Sequence, residues 1–221
     1  FSVGALGIDN IRSFQPLSRS AFEKAVGVKL RKHSLLVTFH PVTLECARSE
    51  TQFRSILRAL DRLRDTTMIF TKTGADPHGR AINQMIDRYV ARNRDKARVF
   101  ASMGQHLYLS AMRHVDAVIG NSSSGIIEAP SFGIGSVNVG SRQDGRIKAK
   151  SVLDCLPDQE SVSAAIAEVL SAPFRRSLRS LRNPYGDGNA AGRILKVLRG
   201  MNFANIVMKH FYDIPFRVRA K

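Results

Sequence analysis

The sequence predicts an α/β fold in which helices cover both faces of a doubly wound parallel sheet, and three observations support this prediction. Short apolar, β-branched runs alternate with longer stretches of helical periodicity. The runs are apolar at successive positions, as in strands that are buried on both faces. The segments between the runs are long enough for crossover connections between parallel strands.

The pattern places each element in turn along the chain. The predicted strands occupy residues 35–39, 68–70, 98–100, 117–119, 136–139 and 151–153. The predicted helices lie near residues 19–27, 47–64, 79–94, 104–113, 124–133 and 158–171, the first of them capped by Ser18. We divide the chain into an extended, hinge-like segment (1–16), the sheet domain (17–182), appended C-terminal helices (183–214, helical over 189–213) and a basic tail (215–221).

Composition excludes several classes of protein. With 43% hydrophobic residues, the chain has an ordinary globular composition. It contains no apolar run near the roughly 20 residues that cross a bilayer, and its start lacks the features of a signal peptide. Its two cysteines, Cys46 and Cys155, form neither a CxxC pair nor a zinc-ligand pattern. We therefore expect a cytoplasmic protein without a membrane anchor, a metal or another cofactor.

The charge leaves two classes open. Lys and Arg number 34 against 18 Asp and Glu, a net charge of +16, which suits either a nucleic-acid-binding α/β module or an enzyme with a phosphate-bearing ligand. Two sets of arginines at helical spacing favour the first class: Arg54, Arg58 and Arg62, and Arg175, Arg179 and Arg182. The absence of tryptophan, an aromatic content of 7% and the lack of any known nucleic-acid-binding motif count against it.

The segment from Gly120 to Glu128, GNSSSGIIE, is the strongest candidate for a ligand site. A strand end here leads through small hydroxyl residues into a helix, whose first turn has backbone N–H groups that can bind phosphate. Ser122 and Ser123 would add hydroxyls, and Glu128 would accept from ribose hydroxyls. The alternative is that Ser123 or Ser124 is a simple N-cap with Glu128 as its capping partner.

Three further residues follow predicted strands, where ligands bind in open parallel sheets. His40 stands before Pro41, and it either binds a phosphate or moves a proton, or else is satisfied by neighbouring backbone. Arg142 lies in a glycine-bracketed loop and has the geometry for a bidentate contact with a diphosphate. Asp76 is either a ligand residue or the start of an Asx turn.

Four sequence blocks carry a resemblance to a known family. HPVTLE, GNSSSGIIEAPSFG, VNVGSRQDGR and NPYGDGNA occur in this order and resemble the hydrolysing UDP-N-acetylglucosamine 2-epimerases over nearly the whole chain. The resemblance implies a two-domain, glycosyltransferase-B-like fold, with this chain as its C-terminal, Rossmann-like, nucleotide-binding half. VGALGIDNI then resembles the hinge between the domains.

The resemblance also implies roles for the candidate residues. His40 is similar to the family histidine that faces the substrate, and Glu128 to the acceptor for the ribose. The other implied UDP-binding residues are Ser122 and Ser123 at the phosphates, Arg142 near the nucleotide, the backbone around Met103 at the uracil edge, and Asp76.

The implied reaction is elimination of UDP followed by hydration, which releases N-acetylmannosamine or a related 2-epimerised amino sugar. The family places the acid and base carboxylates in the other domain, so we expect this chain to be a fragment that is inactive alone and a homo-oligomer at full length. Which UDP-sugar is the substrate stays open. A catalytically silent structural or regulatory paralogue is a third class that the residues leave open.

Overall fold

The computed structural model describes residues 1–42, 48–74, 78–204, 207–208 and 212–215. Within them, parallel strands form one sheet in the order β3-β2-β1-β4-β5-β6. The strands are β1 (His33–Thr38), β2 (Thr66–Thr71), β3 (Ala97–Phe100), β4 (Ala117–Gly120), β5 (Gly135–Val139) and β6 (Val152–Cys155). The predicted fold class is confirmed, and each predicted strand end lies within two residues of the observed one.

Helices cover both faces of this sheet. They are α1 (Leu6–Ser13), α2 (Arg19–Val26), α3 (Ser49–Asp61), α4 (Gly79–Arg92), α5 (Gly104–His114), α6 (Ser124–Ile127), α7 (Gln159–Leu170), α8 (Ala172–Ser177) and α9 (Ala190–Gly200). Helices α3, α4 and α7 pack on one face, and α2 and α5 pack on the other. Among the described residues, no helix has both the length and the apolar character that a bilayer span requires.

The alternation of side chains along β1 explains why both faces need a cover. Leu35 and Val37 point into the core beneath α3, α4 and α7, whereas Leu36 points into the core beneath α2 and α5. All three are at most 1% exposed. The stretch Leu35–Val37, which is apolar at every position, is therefore buried on both sides, as the sequence predicted.

The strand order creates a switch point between β1 and β4. From β1 the chain winds outward through β2 to β3, and it then returns to β4 on the other side of β1. In such sheets, a crevice opens beyond the carboxyl ends of the two strands at the reversal. The segments that follow β1 and β4 therefore meet at one place.

The first 16 residues differ from the expectation of an extended segment. Residues Leu6–Ser13 form α1, which packs on α9. The Asp9 carboxylate accepts hydrogen bonds from the backbone N–H of Ala190 at 2.8 Å and of Ala191 at 2.9 Å, and these bonds hold the pKa of Asp9 below its usual value. The expectation was wrong because a tertiary contact with residues far along the chain stabilises this helix.

Two helix predictions were too long. The helix predicted over 124–133 ends at Ile127, and a 3₁₀ turn over Ala129–Phe132 follows, because Pro130 has no N–H to continue the α-helical pattern. Helix α9 ends at Gly200, and the described residues after it, 201–204, 207–208 and 212–215, form no helix. The domain boundaries themselves stay predictions.

Candidate functional site

The switch point brings β1 and β4 into very close contact. Thr38 pairs with Gly120, whose φ of 131° lies outside the range that other residues adopt readily. A Cβ at position 120 would lie 1.9 Å from the Thr38 carbonyl oxygen. Only glycine fits here, and the chain leaves β4 close against β1.

Asn121 fixes the segment after β1. Its side-chain oxygen accepts from the His40 backbone N–H at 2.7 Å, and its amide nitrogen donates to the His40 carbonyl at 2.8 Å. Asn121 is buried, so water does not compete for these two hydrogen bonds. His40 is therefore held beside the serine turn that follows Asn121.

The serine turn consists of Ser122, Ser123 and Ser124. Ser123 is the N-cap residue of α6 but makes no side-chain capping bond, and Glu128 lies at the C-cap, so the structure contradicts the capping interpretation. Backbone carbonyls of Ser122 and Ser123 already accept from N–H groups in the first turn of α6. Since α6 is only 4 residues long, its dipole is small. The hydroxyls, more than unpaired amides, are what this turn offers an anion.

A chain of hydroxyls links the serine turn to α5. Ser122 Oγ lies 3.0 Å from Ser124 Oγ, which in turn lies 2.5 Å from Tyr108 Oη. Burial raises the pKa of Tyr108, so its hydroxyl keeps its proton near neutral pH. Two residues of the serine turn and one residue of α5 thus form one hydrogen-bonded row.

Tyr108 also lines a cavity of about 500 Å³. Met103, from the segment after β3, and Glu128 both line it. Gly7 and Asn10 of α1 complete one wall, so the N-terminal segment takes part in the site. Burial raises the pKa of Glu128. The size lies within the range of small-molecule sites in proteins.

The loop after β5 closes the other side of the serine turn. Arg142 Nη1 donates to the Asn121 carbonyl at 3.0 Å, and Gln143 Nε2 donates to the same oxygen at 2.7 Å. An arginine has five N–H donors, so this bond leaves Arg142 with the capacity for an anion. The structure therefore places Arg142 against Asn121, the residue before Ser122, and on the exposed surface.

The predicted residues divide into two groups. One group surrounds the β1–β4 edge: His40, Ser122, Ser123 and Arg142. The other, Met103 and Glu128, lines the cavity. The last predicted site residue, Asp76, falls in 75–77, outside the described residues. Outside the gaps in the description, no group of three His, Cys, Asp or Glu side chains could hold a metal.

Sequence reasoning missed Asn121 and Tyr108. Asn121 lies inside the motif already singled out, and its position directly after β4 was the available signal. Tyr108 had no such signal, because it belongs to α5, 16 residues away from its partner Ser124. Only the packing of α5 against the sheet brings the two hydroxyls together.

Comparisons with known proteins show which family the chain belongs to. Residues 1–199 match the family model described as UDP-N-acetylglucosamine 2-epimerase. The chain is 35% identical to the GDP/UDP-N,N'-diacetylbacillosamine 2-epimerase (hydrolyzing) of Campylobacter jejuni, over 97% of this chain and 56% of that protein. It is 30% identical to the UDP-N,N'-diacetylbacillosamine 2-epimerase (hydrolyzing) of Legionella pneumophila, over 90% and 51% respectively. The chain spans about half the length of these curated relatives.

Solved structures share the fold. The S. aureus MnaA-UDP co-structure superimposes with a TM-score of 0.70 at 18% identity, over 96% of this chain and 56% of that chain. The UDP-GlcNAc 2-epimerase of Methanocaldococcus jannaschii, in complex with UDP-GlcNAc and UDP, gives 0.68 at 16% identity, over 90% and 54%. These solved structures show the fold alone, whereas the sequence matches show the family. This chain belongs to the UDP-N-acetylglucosamine 2-epimerase family.

Proposed function

We propose that this chain forms the UDP-binding half of a hydrolysing UDP-sugar 2-epimerase. One observation carries the proposal: the Tyr108–Ser124–Ser122 row of hydroxyls connects the cavity at Met103 and Glu128 with the switch point at His40. A nucleoside diphosphate has a matching layout, with a base and ribose at one end and two phosphates at the other. The likeness to the MnaA-UDP co-structure supports this fold for a UDP site.

Each candidate residue has a role in this proposal. Ser122 and Ser123 donate to phosphate oxygens, and Arg142 neutralises part of the diphosphate charge. In the cavity, Glu128 accepts from the ribose hydroxyls and the backbone around Met103 holds the edge of the uracil. Asp76 is kept as a further UDP-binding residue on its sequence position alone.

The reaction makes two demands. A base removes the C2 proton of the sugar while UDP leaves from C1 with the electron pair of the C1–O bond, which forms a C1–C2 double bond. Water then adds, its hydroxyl to C1 and a proton to C2 from the opposite side, so the products are UDP and the 2-epimerised sugar. The serine turn and Arg142 stabilise the charge that develops on departing UDP. His40, two residues after β1, is our candidate catalytic residue beside the sugar.

The general acid and base require a further source. The relatives are nearly twice as long as the stretch this chain matches, so they contain another segment of domain size. We assign the acid and base carboxylates to a domain of that kind. The isolated chain is therefore expected to bind UDP without releasing sugar, and robust turnover by the pure chain would overturn this assignment.

The sugar follows from the relatives' names only as a proposal. Two relatives at 35% and 30% identity are named for diacetylbacillosamine, and one at 27% for N-acetylglucosamine. Another relative, at 30%, is polysialic acid biosynthesis protein P7 of Escherichia coli. We favour a UDP-linked 2-acetamido sugar with a second acetamido group. Competition between the two UDP-sugars for the chain would rank them.

Calorimetric titration of UDP tests the proposal. Saturable binding that is lost in Ser122→Ala/Ser123→Ala is the expected result, because both phosphate-facing hydroxyls are gone. Ser20→Ala/Ser180→Ala removes two exposed hydroxyls elsewhere and should leave the affinity unchanged. Equal UDP affinities for the parent chain and both double variants would show that the phosphates do not bind at the serine turn.

The nucleic-acid alternative has lost part of its support. Arg62 lies 3.6 Å from the Glu160 carboxylate, and Arg175 lies 3.0 Å from that of Asp116. These ion pairs interrupt both predicted rows of arginines. In the same titration, a short duplex that binds with a steep salt dependence while UDP shows no heat would restore the alternative.

A further inference from the structure

A second, strongly basic groove lies between α3 and α4. Its volume is about 680 Å³, and its walls carry two arginines from each helix: Arg54, Arg58, Arg88 and Arg92. Within each helix the two arginines stand four residues apart and so share one face. Leu57 and Met85 form part of an apolar floor. The four cations therefore converge on one concave surface.

Little negative charge opposes these arginines. Over the part of the chain that the structure describes, no ion pair joins any of the four to a carboxylate. Asp61 is the single acidic residue in the lining. It also acts on the buried Tyr89, whose pKa is raised by burial and by the Asp61 carboxylate. The groove thus holds a clear excess of positive charge.

The groove is separate from the proposed UDP site. Helices α3 and α4 start after the carboxyl ends of β1 and β2 and run back toward the amino ends. Arg58 and Arg92 occupy the last turns of these helices, so they lie toward the opposite edge of the sheet from Ser122. A ligand in the groove would leave the cavity at Glu128 open.

We propose that this groove is a second anion site, which binds a small molecule carrying a phosphate or diphosphate. Guanidinium groups match phosphate oxygens in pairs, and four of them on facing helices surround a compact anion. The volume lies within the range of small-ligand sites, and the apolar floor suits the uncharged part of such a ligand. Nucleic acid fits less well, because a backbone of phosphates needs cations in an extended row and the Arg62–Glu160 pair ends the row on α3. The proposal is independent of the UDP site.

Inorganic pyrophosphate is the probe, titrated into the full chain at physiological salt while backbone amide resonances are followed by NMR. We expect saturable shifts in α3 and α4 that form a set distinct from any shifts in the serine turn. In Arg58→Gln/Arg88→Gln the pyrophosphate affinity measured from the α3–α4 resonances should fall about tenfold or more, because this double variant removes two charged hydrogen-bond donors. The serine-turn resonances of this variant should titrate as in the parent chain.

A matched control removes the same charge elsewhere. Arg176→Gln/Arg179→Gln changes two exposed arginines outside the groove and should keep the α3–α4 affinity within about twofold, because screened surface charges act weakly over distance. Equal weakening by both double variants, shifts confined to the serine turn, or shifts that never saturate would each overturn the proposal. So would a short RNA duplex that displaces pyrophosphate from the groove and binds there more tightly. All variants are exposed-side-chain changes, and their amide spectra report whether the fold is intact.

Discussion

The carboxamide of Asn121 binds both backbone polar groups of His40, at 2.7 Å and 2.8 Å. Two segments that are 81 residues apart in sequence are thereby joined across the switch point. Replacement by alanine would leave the His40 N–H and carbonyl without these partners. We expect Asn121→Ala to lower the free energy of unfolding by about 2 kcal/mol. Urea unfolding measures this loss, and the exposed Asn202→Ala serves as the control. Equal stability of both variants would mean that the two Asn121–His40 hydrogen bonds contribute nothing to the free energy of unfolding.

Gly120 is expected to tolerate no side chain. Gly120→Ala places a Cβ 1.9 Å from the Thr38 carbonyl oxygen, a backbone atom of β1 that cannot move freely. The expected loss is roughly 4 kcal/mol or more, or failure to fold. Gly145→Ala is matched to it, because Gly145 has a φ of 78° with no atom within 4 Å of the added Cβ. That variant should lose only about 1–2 kcal/mol, from backbone strain alone. Similar melting temperatures for the two would contradict the contact.

Tyr108 is expected to act through its hydroxyl. Tyr108→Phe keeps the ring but removes the bond to Ser124, so the serine hydroxyls lose an orienting partner. On the proposed function, UDP affinity should fall roughly fivefold, the equivalent of about 1 kcal/mol. Tyr185→Phe is the control, since the Tyr185 hydroxyl donates to the Ile147 carbonyl outside this row. Calorimetry that gives the same affinity for both variants would exclude a role for the Tyr108 hydroxyl.

Glu128 is expected to make stability depend on pH. Burial raises its pKa in the folded chain, so folding favours the protonated form. This contribution is complete below the ordinary carboxyl pKa and is lost as the pH rises through the raised value. Glu128→Gln has no proton to lose there, so it should gain stability relative to the parent chain as the pH rises from the ordinary carboxyl pKa through the raised value. Urea unfolding across this range tests the trend, with the exposed Glu168→Gln as control. A difference between Glu128→Gln and the parent that stays constant with pH would contradict it.

Much of the fold could be predicted because its signals are local. The strand at Leu35–Leu36–Val37 is apolar at every position, and the Gly120 motif marks a strand end that enters a helix. Helix α1 could not be predicted in the same way. The Asp9 carboxylate in this helix accepts hydrogen bonds from the backbone of Ala190 and Ala191, which lie far along the chain. Pro130, by contrast, was a local signal for the early end of α6 that the helical periodicity concealed.

The sequence by itself determined the alternation of strands and helices, the residues at the strand ends and the family blocks, since each depends on neighbours in the chain. The tertiary structure alone decided which of these residues meet. It joined Asn121 to His40 and Tyr108 to Ser124, it placed Met103 and Glu128 in the wall of one cavity, and it aligned arginines of α3 and α4 along one groove. The physical reason is that side-chain contacts at the switch point depend on strand order, and strand order is fixed by packing across the whole sheet.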